Sequence, residues 1–115
     1  MTTRSDLEFL AKKLGIDSLK VVWLKDADPN YKDAQIINLG NKIIGGSHWC
    51  ASYNGVWFDS FGLVPPQKFE DAGYEWIPLQ KQNQNYGHCG SYVALWLYYA
   101  KMGELDQFYN LFETM

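Results

Sequence analysis

Several features that would assign the chain to a familiar class are scarce or absent. The 115 residues include only two cysteines, too few for a disulfide scaffold, and no Asn-x-Ser/Thr sequon. No apolar stretch reaches the length of a signal peptide or a membrane span. There is no basic run and the net charge is −3, which argues against nucleic-acid binding as the main task. We therefore expect a soluble intracellular protein with no membrane partner and no nucleic-acid partner.

Apolar and aromatic residues, by contrast, are plentiful. Hydrophobic residues make up 47% of the chain and charged residues 20%, a balance that excludes intrinsic disorder. The length predicts one domain spanning residues 1–115. Aromatic residues reach 17%, so either the core is very aromatic or the surface binds something.

Apolar periodicity and turn residues predict a helix, several strands and two closing helices. A capping box at residues 5–8 precedes the first helix, which Gly15 ends. The predicted strands are residues 19–24, 35–39, 47–53, 56–58 and 74–79. A short helix after Pro66 and two helices, from Cys89 to Gly103 and around residues 105–112, complete the pattern. Asn54-Gly55 predicts a two-residue hairpin. We predict an α+β fold with a mixed, mostly antiparallel sheet packed between helices.

Cys89 is well placed for a nucleophile. It lies where a polar loop, residues 80–88, meets the start of an amphipathic helix, whose unpaired N–H groups and dipole favour a thiolate. Gly90 leaves room for a substrate backbone to approach. The alternative is a buried cysteine that merely packs at a helix start.

A nucleophilic thiol also needs a base and a group that orients the base. His88 is a poor base because side chains adjacent in sequence diverge at a helix start. His48 lies on a predicted strand, and pairing across Asn54-Gly55 brings Asp59 to the same end of the hairpin. The alternatives are a hydrogen-bonded sheet histidine and an aspartate that caps a turn.

Cys50 is a rival nucleophile because it lies two residues from His48 and shares its strand face. It lacks a helix end, however, and an apolar packing role is preferred. A zinc site built from both histidines and both cysteines would not have the usual ligand spacings, so no metal site is expected.

Three segments together resemble the adenain-like cysteine proteases: residues 45–49, 57–62 and 82–90. That family includes the adenovirus maturation protease and relatives in virophages, Polinton-type elements and large DNA viruses, and is more distantly similar to the SUMO-specific proteases. The resemblance covers nearly the whole chain in the order His, Asp, Cys. It implies a sheet sandwiched by helices with the nucleophile at a helix start.

The resemblance also implies a role for each matching residue. His48 would be the general base, Asp59 the orienting carboxylate and Cys89 the nucleophile. A glutamine before the cysteine would donate to the oxyanion hole; the spacing of the adenovirus branch selects Gln82, and that of the SUMO-protease branch selects Gln84.

Two further positions near these groups can be compared with the relatives. Trp49 would help shape a narrow substrate cleft, a role compatible with sheet packing. His88, just before the nucleophile, departs from the relatives, in which that position varies.

The expected function is a viral-type cysteine endopeptidase that cleaves after small residues and matures a capsid or scaffold protein. It would act as a monomer without a cofactor, in the virion and the infected cell's cytoplasm. A protease that removes ubiquitin-like tags is an alternative with the same chemistry, and an amidase is another. A non-catalytic, aromatic-rich binding module is the alternative from a different class.

Overall fold

Helices and strands follow one another in the predicted order. The computed structural model describes residues 4–16, 18–40, 48–60, 62–76 and 89–113, with only the backbone at residues 4, 89–91 and 111–113. The strands in this part of the chain are β1 (Lys20–Trp23), β2 (Gln35–Asn38), β3 (Trp49–Tyr53), β4 (Val56–Phe58) and β5 (Glu75–Trp76). The α-helices are α1 (Arg4–Lys13), α2 (Gln67–Asp71), α3 (Cys89–Lys101) and α4 (Leu105–Glu113), and a 3-10 helix spans Leu24–Asp26. The α+β class is confirmed.

The described strands form one five-stranded sheet in the order β1-β2-β3-β4-β5. The two central pairings, β2 with β3 and β3 with β4, are antiparallel. The two outer pairings, β1 with β2 and β4 with β5, are parallel. The sheet is therefore mixed as predicted, but the prediction that it is mostly antiparallel is wrong, because half of its strand pairs are parallel.

Each parallel pair needs a connection that returns the chain to the same end of the sheet. Residues 24–34 make the first return through the 3-10 helix, and α2 lies in the second. Lys68 of α2 ties the two connections together, because its Nζ donates to the carbonyl oxygens of Leu24 at 2.7 Å and Ala27 at 2.6 Å.

Helices cover both faces of the sheet, and alternation along the strands divides the core into two clusters. The larger cluster joins α1, α3 and α4 to one face and includes Trp49, Phe58 and Trp96. The smaller cluster lies on the opposite face and brings Cys50 and Trp57 together with residues of α2 and the segment after it. The predicted packing of the sheet between helices is thus confirmed. Within the described ranges no helix is long and apolar enough to cross a membrane.

Candidate active site

The β3–β4 hairpin sets the position of the candidate base and its carboxylate. Asn54 and Gly55 form the turn with φ values of 50° and 82°, the left-handed conformations that a tight two-residue turn requires. Ala51 pairs with Phe58 across the hairpin, so the next step of the antiparallel register brings Asp59 level with Cys50. His48 lies just before β3, at the same end.

His48 and Asp59 are in direct contact, as the sequence predicts. The distance from His48 Nε2 to Asp59 Oδ1 is 2.7 Å. Both residues are buried, with 2% and 5% of their surfaces exposed, so water screens their interaction little. An ionised carboxylate only accepts hydrogen bonds. With Asp59 ionised and His48 neutral, the ring proton therefore lies on Nε2 and Nδ1 is the basic nitrogen.

Cys50 lies beside this pair, although the sequence favours a packing role for it. Its Sγ, one ring nitrogen of His48 and a carboxylate oxygen of Asp59 all lie within 4.8 Å of one another. Cys50 is also fully buried and packs in the smaller apolar cluster with Trp57, which supports the packing role predicted for it. The signal that could have revealed the trio is the Asn54-Gly55 register, which by itself places Cys50 opposite Asp59.

Cys89 is the first residue of α3, as predicted, and the direction of this helix can be read from two contacts. Lys101, at its last turn, lies with Nζ 5.8 Å from the centre of the Tyr53 ring, at the end of β3. One and a half turns earlier, Trp96 stacks on Phe58 with ring centres 5.3 Å apart, level with the middle of β3.

These contacts show that α3 runs in the same direction as β3. The start of α3 therefore lies toward the His48 end of the sheet. At 1.5 Å per residue, the seven residues from Trp96 back to Cys89 extend the helix about 10 Å further in that direction. The N-terminus of a helix carries unsatisfied N–H groups and a partial positive charge. This charge is therefore directed toward the end of the sheet that holds His48 and Asp59.

The remaining predicted residues are placed only in part. Trp49 is 5% exposed and packs in the larger cluster, on the face opposite Cys50, which fits sheet packing; its role in a cleft stays a prediction. Gly90 is the second residue of α3. Gln82 and Gln84, the alternative oxyanion donors, lie outside the described residues, as does His88.

Comparisons of the chain with family models, curated proteins and solved structures gave no match.

Proposed function

We propose that this protein is a cysteine endopeptidase of the adenain type, with Cys89 as nucleophile, His48 as general base and Asp59 as the carboxylate that orients His48. The observation that carries the proposal is the buried 2.7 Å contact between His48 Nε2 and Asp59 Oδ1. The direction of α3 adds support, because the start of this helix, where Cys89 lies, is toward the end of the sheet that holds the pair.

The chemistry follows from the tautomer that Asp59 favours. With Nε2–H held by the carboxylate, Nδ1 of His48 takes the proton of the Cys89 thiol, and the thiolate attacks the scissile carbonyl carbon. The Cys89 backbone N–H and the side chain of Gln82, or alternatively Gln84, stabilise the oxyanion. His48 then protonates the leaving amine, and a water molecule, deprotonated by His48, hydrolyses the thioester.

The substrate class is proposed from the resemblance. Adenain-like enzymes cut after small residues such as glycine, and a capsid or scaffold protein in the virion or the infected cell is the proposed substrate. A ubiquitin-like protein carries a similar small-residue end, so removal of such tags is the outcome that the substrate test must distinguish. Glycine-rich capsid peptides and ubiquitin-like fusion proteins, incubated in parallel, separate the two.

Site-resolved alkylation of the two cysteines tests the mechanism without a known substrate. We expect iodoacetamide to label Cys89 in the folded protein at pH values well below the ordinary thiol pKa of about 8.5. The His48→Ala change should move that reaction to higher pH. Cys50, which is fully buried, is the internal control and should be labelled only after unfolding.

Two results would reject the proposal. One is Cys89 labelling no faster than that of an ordinary thiol at every pH, which would favour the non-catalytic binding module. The other is peptide cleavage that survives the Cys89→Ala change.

The choice of oxyanion donor can be tested by a matched pair of substitutions. Loss of one donor costs on the order of 10²–10³ in rate, so the Gln82→Ala variant should lose that much while the Gln84→Ala variant does not. The reverse pattern would assign the role to Gln84.

A further inference from the structure

We propose that His48, Cys50 and Asp59 form a binding site for a divalent cation that prefers sulfur and nitrogen ligands, such as Zn²⁺. The three side chains come from the β3–β4 hairpin and its ends, and their ligand atoms lie within 4.8 Å of one another. The spacing of the two histidines and two cysteines predicted no metal site. The hairpin register instead brings one histidine, His48, and one cysteine, Cys50, together with Asp59.

The donor set selects the metal. Imidazole nitrogen and thiolate sulfur favour zinc and similar transition metals, whereas magnesium and calcium prefer sites made of oxygen. A Cys50 thiolate and an Asp59 carboxylate supply two negative charges, which balance a divalent cation in a buried site. Binding forms bonds from the metal to sulfur, nitrogen and oxygen, and it releases the Cys50 thiol proton to solvent.

The spacing requires only small movements. With metal–ligand distances of 2.0–2.3 Å, tetrahedral zinc holds its ligand atoms roughly 3.3–3.6 Å apart. The His48–Asp59 pair, now 2.7 Å apart, would open by less than about 1 Å, and Cys50 Sγ, within 4.8 Å of both partners, would move by no more than about 1.5 Å. Three protein ligands leave the fourth position for water, the arrangement of open zinc sites.

Metal binding and the proposed catalysis would exclude each other. A metal on these residues takes the carboxylate that orients His48 and a ring nitrogen of the base itself. We therefore expect the cation to act as a reversible inhibitor. This inhibition rests on the proposed function, whereas the binding does not.

Cobalt titration of the Cys89→Ser variant tests binding with Cys50 as the remaining thiol. We expect one equivalent of Co²⁺, read at equilibrium, to give thiolate-to-cobalt charge-transfer absorption and the intense visible bands of four-coordinate cobalt. Zn²⁺ should displace the Co²⁺, and excess Mg²⁺ should not. A weak six-coordinate spectrum, or the absence of stoichiometric binding, would overturn the proposal.

Further variants in the same background identify the ligands. The Cys50→Ala change should abolish the charge-transfer absorption. It should also weaken Co²⁺ binding by more than about 100-fold, because removal of a group that only orients a ligand already costs roughly 10–100-fold. The Asp71→Asn change, on α2, is the matched carboxylate control and should bind Co²⁺ like its parent. Far-ultraviolet circular dichroism establishes that each variant is folded. An unchanged spectrum in the Cys50→Ala variant would overturn the assignment.

Inhibition is measured separately, in protein that retains Cys89. Zn²⁺ should slow peptide cleavage reversibly, with activity restored by a chelator. The Zn²⁺ concentration for half inhibition should rise at least tenfold in the Cys50→Ala variant, relative to its own uninhibited rate. Equal sensitivity would mean that the cation inhibits through Cys89 instead and would contradict the proposal. If no peptide is cleaved, the cobalt titration still decides whether the metal site exists.

Discussion

His48 and Asp59 are eleven residues apart in the chain, yet the hairpin brings Nε2 of one to 2.7 Å from Oδ1 of the other. Because both side chains are buried, the contact does more than hold the ring in place. With the carboxylate ionised, it also favours the neutral tautomer that has its proton on Nε2, which leaves Nδ1 as the basic nitrogen.

The first prediction concerns this determination of the tautomer. The Asp59→Asn change keeps the size of the side chain, but an amide can donate a hydrogen bond to Nε2 and so move the ring proton to Nδ1. We expect peptide cleavage to fall by on the order of 10²–10⁴, the usual contribution of a correctly protonated general base. The measurement is kcat/KM on a glycine-containing peptide across the pH range.

The Asp71→Asn variant serves as the control, since Asp71 lies on α2 and contacts Gln67. Its rate should match that of the unaltered protein. Full activity in the Asp59→Asn variant, with the fold intact by circular dichroism, would show that the carboxylate does not orient the base.

The second prediction compares the two cysteines. Cys50 packs in an apolar cluster, and removal of its sulfur should lower the free energy of unfolding by about 0.5–1.5 kcal/mol, as for other small core deletions. The Cys50→Ala change should reduce cleavage far less than the roughly 10²–10⁴-fold loss expected for an acid–base group. The Cys89→Ala change should abolish cleavage. Urea unfolding and peptide hydrolysis on both variants provide the measurements. Loss of cleavage in a stably folded Cys50→Ala variant would make Cys50 the nucleophile.

Local signals in the sequence predicted much of the fold. The Asn54-Gly55 turn fixes the β3–β4 register through two left-handed residues, and the apolar periodicity after Cys89 gives α3. These features depend on residues close together in the chain, so turn chemistry and spacing are enough to predict them. The approach of His48 to Asp59 follows from the same hairpin.

The parallel outer pairings could not be predicted in this way. Parallel pairing requires each connection to cross the sheet, and the two connections meet through distant residues: Lys68 contacts the carbonyl oxygens of Leu24 and Ala27, 44 and 41 residues away. Such contacts leave no periodic pattern in the sequence. Residues 28–30 form a turn between β1 and β2, and the same turn residues suit either an antiparallel or a parallel pairing of these two strands.

The third prediction uses two buried tryptophans as a matched pair. Trp96 Nε1 donates to the Tyr109 hydroxyl at 3.0 Å, whereas Trp57 Nε1 is buried without a hydrogen-bond partner in the described part of the chain. Replacement by phenylalanine removes similar atoms at both positions. Only at Trp57 does it also remove a buried, unsatisfied donor, whose presence costs about 1–3 kcal/mol.

We therefore expect the Trp96→Phe change to lower the free energy of unfolding by at least about 1 kcal/mol more than the Trp57→Phe change does. Urea unfolding at neutral pH measures both values. The Tyr109→Phe change should be destabilising alone and nearly neutral in the Trp96→Phe background, because the hydrogen bond is already lost there. Equal costs at the two tryptophans would contradict this account.

The fourth prediction concerns acid stability and the ion pair between Lys101 Nζ and Asp33 Oδ1, 3.1 Å apart. Burial alone would raise the pKa of Asp33, but the hydrogen bond from the Ala34 N–H and the Lys101 ammonium outweigh it and hold the pKa below its ordinary value of 3.8. A carboxyl whose pKa is lower in the folded state stabilises the fold above its unfolded pKa. That stabilisation is lost as the pH falls through the folded pKa.

The Asp33→Asn change should consequently lower the free energy of unfolding at about pH 7, by no more than the roughly 0.2–1 kcal/mol of a partly exposed pair. The difference should shrink below about pH 4, as Asp33 in the unaltered protein takes up its proton. A Lys101→Met variant, and the double variant with Asp33→Asn, separate the ion pair from the Ala34 hydrogen bond, which an asparagine can still accept. Urea unfolding across this pH range measures all four proteins. A stability difference that stays constant down to about pH 2, well below the ordinary pKa of an aspartate, would show that Asp33 acts through packing and not through its charge.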